Sequence, residues 1–315
     1  MATKFPVKNT TFFAKEQTAY GAIATLAAAD ALAMTENSYG LNVEQDVLEW
    51  VGSNTEREIA VSITDTIGTM TVGFPLYTAA AGVAPAFDSM MGASNATKVI
   101  VATISTEYNN SALLDKWLTA AFNYKAAEVA TEKRYALKDA KTLVDLAFSL
   151  KQRLMVTFNI TGTPVAPAQT AVLVANYGTQ KANLLPPVLM GNLPTCTLNG
   201  TTFCITEFTA SNFFGVKLDR TKLICEEGWL QSIERPEVII TFVAQEAGIA
   251  LVPETVLQTT TAHAFICELG TVAGKVARIE LPSLKCTNLS YGDLDGLRTQ
   301  TLTFTNDGAA KLILK

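Results

Sequence analysis

Hydrophobic and polar positions alternate along much of this 315-residue chain. From Thr69 to Leu76, the side chains of Met70, Val72, Phe74 and Leu76 fall on one face of an extended strand and those of Thr69, Thr71 and Gly73 on the other. Leu154 to Thr161 repeats the pattern, with Leu154, Val156, Phe158 and Ile160 set against Met155, Thr157, Asn159 and Thr161. Val144, Leu146, Phe148 and Leu150 alternate just upstream, and the polar Lys151-Gln152-Arg153 between the two runs predicts a hairpin turn. The stretch 125–150 is also rich in Ala, Lys, Glu and Leu, which suits a helix by propensity. The short turn leading straight into a clear strand favours the hairpin.

Further strands are predicted at Lys98–Ser105, Thr201–Phe208, Val238–Ala244, Ala264–Leu269, Lys275–Leu281 and Thr299–Thr305. Abundant threonine suits a pleated surface, and Asn199-Gly200, Gly270, Gly274 and Asn306-Asp307-Gly308 punctuate the runs as turns. Two helices are predicted. Pro85 opens the first, where its missing N–H costs nothing; Phe87, Met90 and Met91 follow and Gly92 ends it. The second spans about Ser111 to Tyr124, with Leu114, Trp117, Leu118, Ala121 and Phe122 as an apolar stripe that packs on a sheet.

From Gly162 to Pro194 the chain is rich in Pro, Ala and Gly. This reads either as a domain linker or as a long ordered loop reaching a neighbouring subunit. Val172, Leu173, Val174, Leu184 and Leu185 make it too apolar for a freely solvated tether. No internal repeat and no low-complexity tract is evident. The expectation is a mainly β chain forming one domain over 1–315, with a helical insertion at about 108–130 and a Pro/Ala-rich loop at about 162–195.

Composition narrows the function. Only 17% of residues are charged against 49% hydrophobic, which fits a well-buried monomer and equally a protein that hides surface against copies of itself. The net charge of −5 leaves no basic excess to neutralise phosphates, so specific or wrapping DNA binding is not expected. An acidic surface past which DNA slides remains compatible. The N-terminal stretch has no long apolar run that reads as a signal peptide, and no run of about 18 apolar residues predicts a membrane-spanning helix. Cys196, Cys204, Cys225, Cys267 and Cys286 are odd in number and lack a CxxC pair, so they read as reduced, mostly buried thiols of a protein made in a cytoplasm.

Catalytic patterns such as GxSxG, HExxH, the P-loop and GxGxxG are missing. His263, the one histidine, sits in a strand-like setting and reads as structural. Asp293-Leu294-Asp295-Gly296 resembles the start of a calcium loop but lacks the closing ligands, so a tight acidic turn is expected. No catalytic, cofactor-binding or metal-binding residue and no cofactor is predicted. A carboxylate pair of the glycosidase type needs only two residues that meet in space, and nothing in the sequence favours one.

Charge is segregated instead. Residues 41–58 carry Glu44, Asp46, Glu49, Glu56 and Glu58 against Arg57 alone. Residues 124–153 carry Lys125, Lys133, Arg134, Lys138, Lys141, Lys151 and Arg153 against four carboxylates. Two solvated faces explain this, and so does an acidic segment of one subunit facing a basic segment of the next.

The order of features is similar to that of the major tail tube proteins of long-tailed bacteriophages. The landmarks are Thr18-Ala19-Tyr20-Gly21 followed by Asp30-Ala31-Leu32, and the alternating strand Met70–Leu76 with the small-residue loop Ala79–Gly82 and Ala84-Pro85 opening a short helix that ends at Gly92. Tyr135-Ala136-Leu137 with Thr142–Leu150, the strand closing Phe158–Gly162 before a proline-rich stretch, Leu185-Pro186-Pro187-Val188 and Arg235-Pro236 follow. The predicted helix at 111–124 and the acidic stretch at 41–58 depart from the family pattern. The resemblance implies a tail-tube-type β-sandwich with a flanking α-helix, long loop or hairpin arms, and strands that join an intersubunit barrel. It also implies hexameric rings that stack into a hollow conduit for genomic DNA. The partners would then be copies of the chain, the tape-measure protein and the tail tip and terminator proteins, with double-stranded DNA passing through the bore without specific binding. The location would be the virion, after synthesis in the bacterial host cytoplasm. Interface candidates are Met70, Val72, Phe74 and Leu76 on the strand, Glu44, Asp46 and Glu49 on the acidic segment, and Lys133, Arg134 and Lys138 on the basic one. The alternatives are another self-assembling virion β protein (sheath, decoration or fibre subunit) and a β-rich carbohydrate-active enzyme.

Overall fold

Alternating runs become strands almost throughout. The computed structural model describes residues 10–34, 39–51, 59–77, 85–101, 105–110, 114–125, 131–174, 177, 184–185, 187–188, 195–223, 226–243, 256–257, 261–272 and 274–315, with backbone alone at 39, 45–51, 59–65, 218–223 and 226–231. The loop 79–82, Glu56, Arg57, Glu58 and Cys225 lie outside the described residues, as do the side chains of Asp46 and Glu49.

The first half holds β1 (Thr10–Glu16), β2 (Ala31–Leu32), β3 (Tyr39–Val51), β4 (Ile59–Pro75), α1 (Pro85–Ala93), β5 (Thr97–Val101), β6 (Ser105–Asn109), β7 (Leu118–Lys125), β8 (Thr131–Ser149) and β9 (Met155–Ala171). β3 pairs with β4, β4 with β9 and β9 with β8; β8 turns at its other end to pair with β7, which pairs with β1, and β1 with β2. Every pairing is antiparallel, and the long β8 joins both runs of strands, pairing with β7 along its first part and with β9 along its length. Register shifts at Arg134/Ala136 and Lys138/Lys141 mark where β8 bends.

The second half holds β10 (Thr195–Leu198), β11 (Thr201–Phe203), β12 (Ile205–Ser211), β13 (Val216–Leu223), β14 (Glu226–Ile233), β15 (Glu237–Val243), β16 (His263–Val272), β17 (Lys275–Leu294), β18 (Leu297–Asn306) and β19 (Lys311–Leu314). Seven of its strands repeat the pairing order of seven in the first half. β12 pairs with β15, β15 with β18 and β18 with β17; β17 turns to pair with β16, which pairs with β10, and β10 with β11. The hairpin β13–β14 extends β12 and β15 outward as the upper part of β3–β4 extends its own sheet. Asn212 and Gly215 at positive φ make the kink between β12 and β13, and a Cβ on Gly215 would collide with the Glu234 carbonyl. The chain is thus a structural duplication that the sequence does not display, contrary to the expectation of no internal repeat.

The two halves share one hydrophobic core cluster. β8 pairs with β12 across the seam, and β19 bridges β17 to β6. Phe148 stacks on Phe208 and Phe208 on Phe265, with centroids 5.5 and 5.6 Å apart.

Several expectations hold. α1 starts at Pro85 and buries Phe87, Met90 and Met91. Phe87 packs against Phe74, Phe158 and Tyr108. The hairpin β8–β9 replaces the rival helix over 125–150. Four expectations are corrected. The predicted helix at 111–124 is largely strand β7, buried on both faces from Leu118 to Asn123, so no alternation betrays it. The single strand expected at Lys98–Ser105 is instead the hairpin β5–β6. The proline-rich stretch from 162 begins as strand, because β4 pairs with β9 only as far as Gly162 and the edge beyond tolerates Pro164 and Pro167. Cys196 and Cys267, cross-strand partners on β10 and β16, are joined as a disulfide rather than standing as reduced thiols, whereas Cys204 and Cys286 are free.

Candidate functional site

Pairing across the seam fuses four strands of each half into one sheet, β3-β4-β9-β8-β12-β15-β18-β17, antiparallel throughout. A single row crosses it: Phe74, Val156, Leu146, Ala210, Val238, Phe304 and Cys286 are successive Cα partners. These side chains face the core, and all but the half-buried Cys286 are buried.

The opposite face is mostly short and polar, with the half-buried Ile67, Leu143, Met155, Ile239 and Val243 among its side chains. Thr69, Thr71, Thr157, Asn159 and Thr161 stand on β4 and β9, and Ser149, Glu207, Thr241, Thr301 and Ser290 form one row across the second half. The Thr71 hydroxyl donates to Asn159 Oδ1 at 3.3 Å, Asn159 Nδ2 donates to Asp145 Oδ2 at 2.7 Å, and the Thr241 and Thr301 hydroxyls lie 3.0 Å apart. Asp145, Glu207 and Glu237 point to this face against Lys285, so its charge is sparse and mainly negative.

The sheet ends on two strands with an open side. Among the described residues, β3 pairs only with β4, and β17 beyond Leu284 pairs only with β18. Gly40, Asn42 and Glu44 on β3 and Asn288, Ser290 and Gly292 on β17 are exposed. The β17–β18 hairpin closes through Asp295-Gly296, both at positive φ as a two-residue turn requires, and Gly296 N–H donates to Asp293 Oδ1 at 3.0 Å. This is the acidic turn expected from sequence. β5 is a further open edge among the described residues, with Val99, Ile100 and Val101 exposed.

The sequence-predicted interface residues separate. Met70, Val72, Phe74 and Leu76 are core residues, each at most 1% exposed, and β4 is held on both sides by β3 and β9. The same alternation that suggested an interface is the signature of a buried face, so these four are corrected to core. Glu44 is exposed on the edge strand and accepts from Asn42 Nδ2 at 2.9 Å. Asp46 and Glu49 lie further along β3. Lys133 lies over the Tyr135 ring, Arg134 Nε donates to Asn123 Oδ1 at 2.9 Å, and Lys138 pairs with Asp139 at 3.8 Å. The three basic residues stand on β8, separated from β3 by β4 and β9. Sequence reasoning missed Asn288, Ser290 and Gly292, because exposed polar positions on a strand edge carry no periodic signal.

Buried titratable groups serve the frame. Lys141 Nζ donates to the Leu114 carbonyl at 3.1 Å and lies 4.5 Å from the centre of the Trp117 ring, and burial pulls its ammonium down to about 8. Burial pushes the Tyr108 hydroxyl up, helped by Asp88, which also pairs with Lys98 at 2.6 Å and so ties α1 to β5 and β6. His263 is buried at the start of β16 with Nδ1 2.7 Å from Asn199 Nδ2, and burial lowers its pKa. Among the described residues no three His, Cys, Asp or Glu side chains cluster to hold a metal ion, and no helix is long and apolar enough to cross a membrane.

No family model and no curated protein matches this chain.

Proposed function

We propose that this chain is the structural subunit of a bacteriophage tail tube, polymerising into stacked rings around a bore through which genomic DNA passes. The observation that supports the reading most is the shared sheet: eight strands with one face in the core, the other face mostly polar and weakly acidic, and, among the described residues, an open edge at each end. Open edges are a liability for a lone subunit, and closure into a ring removes them. A heterologous contact between unlike edges builds rings rather than pairs. A bore lined mainly by threonine, serine and a few carboxylates offers DNA no cationic grip, so DNA slides. The tape-measure protein would fill the bore beforehand, and tip and terminator proteins would cap the ends.

The resemblance implies six subunits in a ring, with one sheet-bearing unit from each. Each chain carries two, so three copies fill the six places. Negative-stain microscopy of concentrated protein tests the reading. Hollow tubes of uniform bore with three-fold mass symmetry are expected. Solid fibres, closed shells, flat sheets or a persistent monomer would overturn it.

A further inference from the structure

We infer that the outer edge of β17, from Asn288 to Leu294, pairs antiparallel with the outer edge of β3, from Tyr39 onward, in a second copy of this chain, and that this contact repeats the joint between the chain's own two halves. The inference rests on the reading of the chain as a self-assembling subunit and adds which edge meets which.

The duplication is the ground. β8 in the first half and β17 in the second hold the same place in the strand order, and so do β3 and β12. Inside the chain, β8 meets β12 in an antiparallel ladder, with Glu207 opposite Ser149, Phe208 opposite Phe148, Thr209 opposite Ala147 and Ala210 opposite Leu146. The molecule thus already shows what a β8-type edge does on meeting a β3-type edge. One of each type is left over, β3 at the front of the sheet and β17 at the back. No other occupant is required to match both at once, whereas a second copy does so by construction.

Strand direction agrees. With an even number of antiparallel strands, the two terminal strands run in opposite senses, so a copy added head to tail continues the alternation; an odd number would force a parallel joint. Height along the strands agrees as well. Relative to the row from Phe74 to Cys286, the β3 ladder lies wholly to one side, starting with Tyr39 opposite Val72, and β17 from Asn288 to Leu294 lies wholly to the other. Joining the edges at mid-strand shifts one copy against the next by about twelve residues, roughly 40 Å at a strand rise of about 3.3 Å. Eight strand spacings of about 4.8 Å span roughly 38 Å. The implied tilt is about 45°, within the range that closed barrels adopt. A stack without tilt would leave the two edges unable to meet.

Disulfide trapping tests the joint. In a Cys204→Ser, Cys225→Ser, Cys286→Ser background, single cysteines are placed at exposed positions 40, 42 or 44 on β3 and 288, 290 or 292 on β17. A β3 variant is mixed with a β17 variant under assembly conditions, oxidised mildly and run on a non-reducing gel. Covalent dimers are expected in mixtures and not with either variant alone, and the reactive pairs should share one constant sum of residue numbers, as an antiparallel ladder demands. A chain carrying both cysteines should give a ladder of multimers. Cross-links formed by either variant alone, reactive pairs with a constant difference, or tubes without any cross-link would each overturn this edge assignment while leaving the tube reading standing. Absence of both tubes and cross-links overturns the two together.

Discussion

Phe148 of β8 stacks on Phe208 of β12, ring centroids 5.5 Å apart and planes 18° from parallel, directly beneath the ladder that joins the two halves of the chain. Phe208 stacks in turn on Phe265 at 5.6 Å and 7°. The seam is therefore held by main-chain hydrogen bonds on one level and by a three-ring aromatic column on the next. Both Phe148 and Phe208 are almost fully buried, at 2% and 0% exposure. Truncating Phe208 to alanine removes the middle ring and leaves a void that neighbouring strands cannot close. A loss of about 3–5 kcal/mol in urea-denaturation stability is expected. A loss below about 1 kcal/mol would mean that the column does not carry the seam.

Lys141 gives the fold a pH signature. Its ammonium is fully buried on β8 and its pKa is drawn down to about 8 from 10.5, because burial disfavours the charged form more than nearby Asp115 and Glu16 favour it. Between these two pH values the unfolded chain holds a proton that the folded chain has released. Stability contributed at this site therefore rises as pH climbs from about 8 to 10.5, and the cost of burying the charge is fully present below 8. In Lys141→Met that cost is absent at every pH. Whatever the variant loses through its missing contacts with Leu114 and Trp117, its stability relative to the parent chain should fall by up to roughly 3 kcal/mol across that interval. Parallel denaturation curves at pH 7, 9 and 10.5 check this; a difference that stays flat with pH would refute it.

Much of the fold was legible where one face of an element is buried and the other wet. Leu154 to Thr161 alternates because Val156, Phe158 and Ile160 enter the core while Thr157 and Asn159 face out. α1 was legible from Pro85 and its apolar spacing. β7 was not, because Thr119 and Asn123 are buried and satisfied by Gln17, Glu132 and Arg134, so its sequence mixes polar and apolar without period. The duplication stayed hidden because it resides in strand order. Val144, Leu146 and Phe148 on β8 answer to Leu284, Cys286 and Leu289 on β17, where a bulge at Cys286/Asn288 shifts the phase. The open strand edges stayed hidden for a further reason: apolar alternation reports burial within a chain, whereas an open strand edge offers main-chain groups that any side chain can flank.

Gly162 supports the bend in β8. It lies opposite Gly68, and a Cβ there would sit 2.7 Å from both the Ala140 Cβ and the Lys138 carbonyl oxygen, close to where β8 shifts register. Neither neighbour is the free end of a flexible side chain, so the strands must part. Gly162→Ala should cost about 1–3 kcal/mol. Gly40→Ala, where nothing lies within 4 Å, serves as the comparison and should be close to neutral. Equal thermal shifts for the two variants would show that the close approach at Gly162 is not constraining.

Glu44, Asp46 and Glu49 lie along β3, the edge strand at the front of the shared sheet. Three carboxylates on one open edge repel a like edge, so they disfavour β3-to-β3 association and leave head-to-tail addition as the better choice. They also make encounter sensitive to salt, because exposed charges are screened over about 8 Å at physiological ionic strength. Replacing the three by glutamine or asparagine removes that repulsion and should leave far-UV circular dichroism nearly unchanged, since Glu44 is exposed and bonded only locally to Asn42 among the described contacts. β3-to-β3 contacts should then compete with head-to-tail addition, read in velocity centrifugation at low salt as a smaller share of the fast-sedimenting species. Tubes that form at the parent rate and salt dependence would show that the charge on this edge plays no part in selecting its partner.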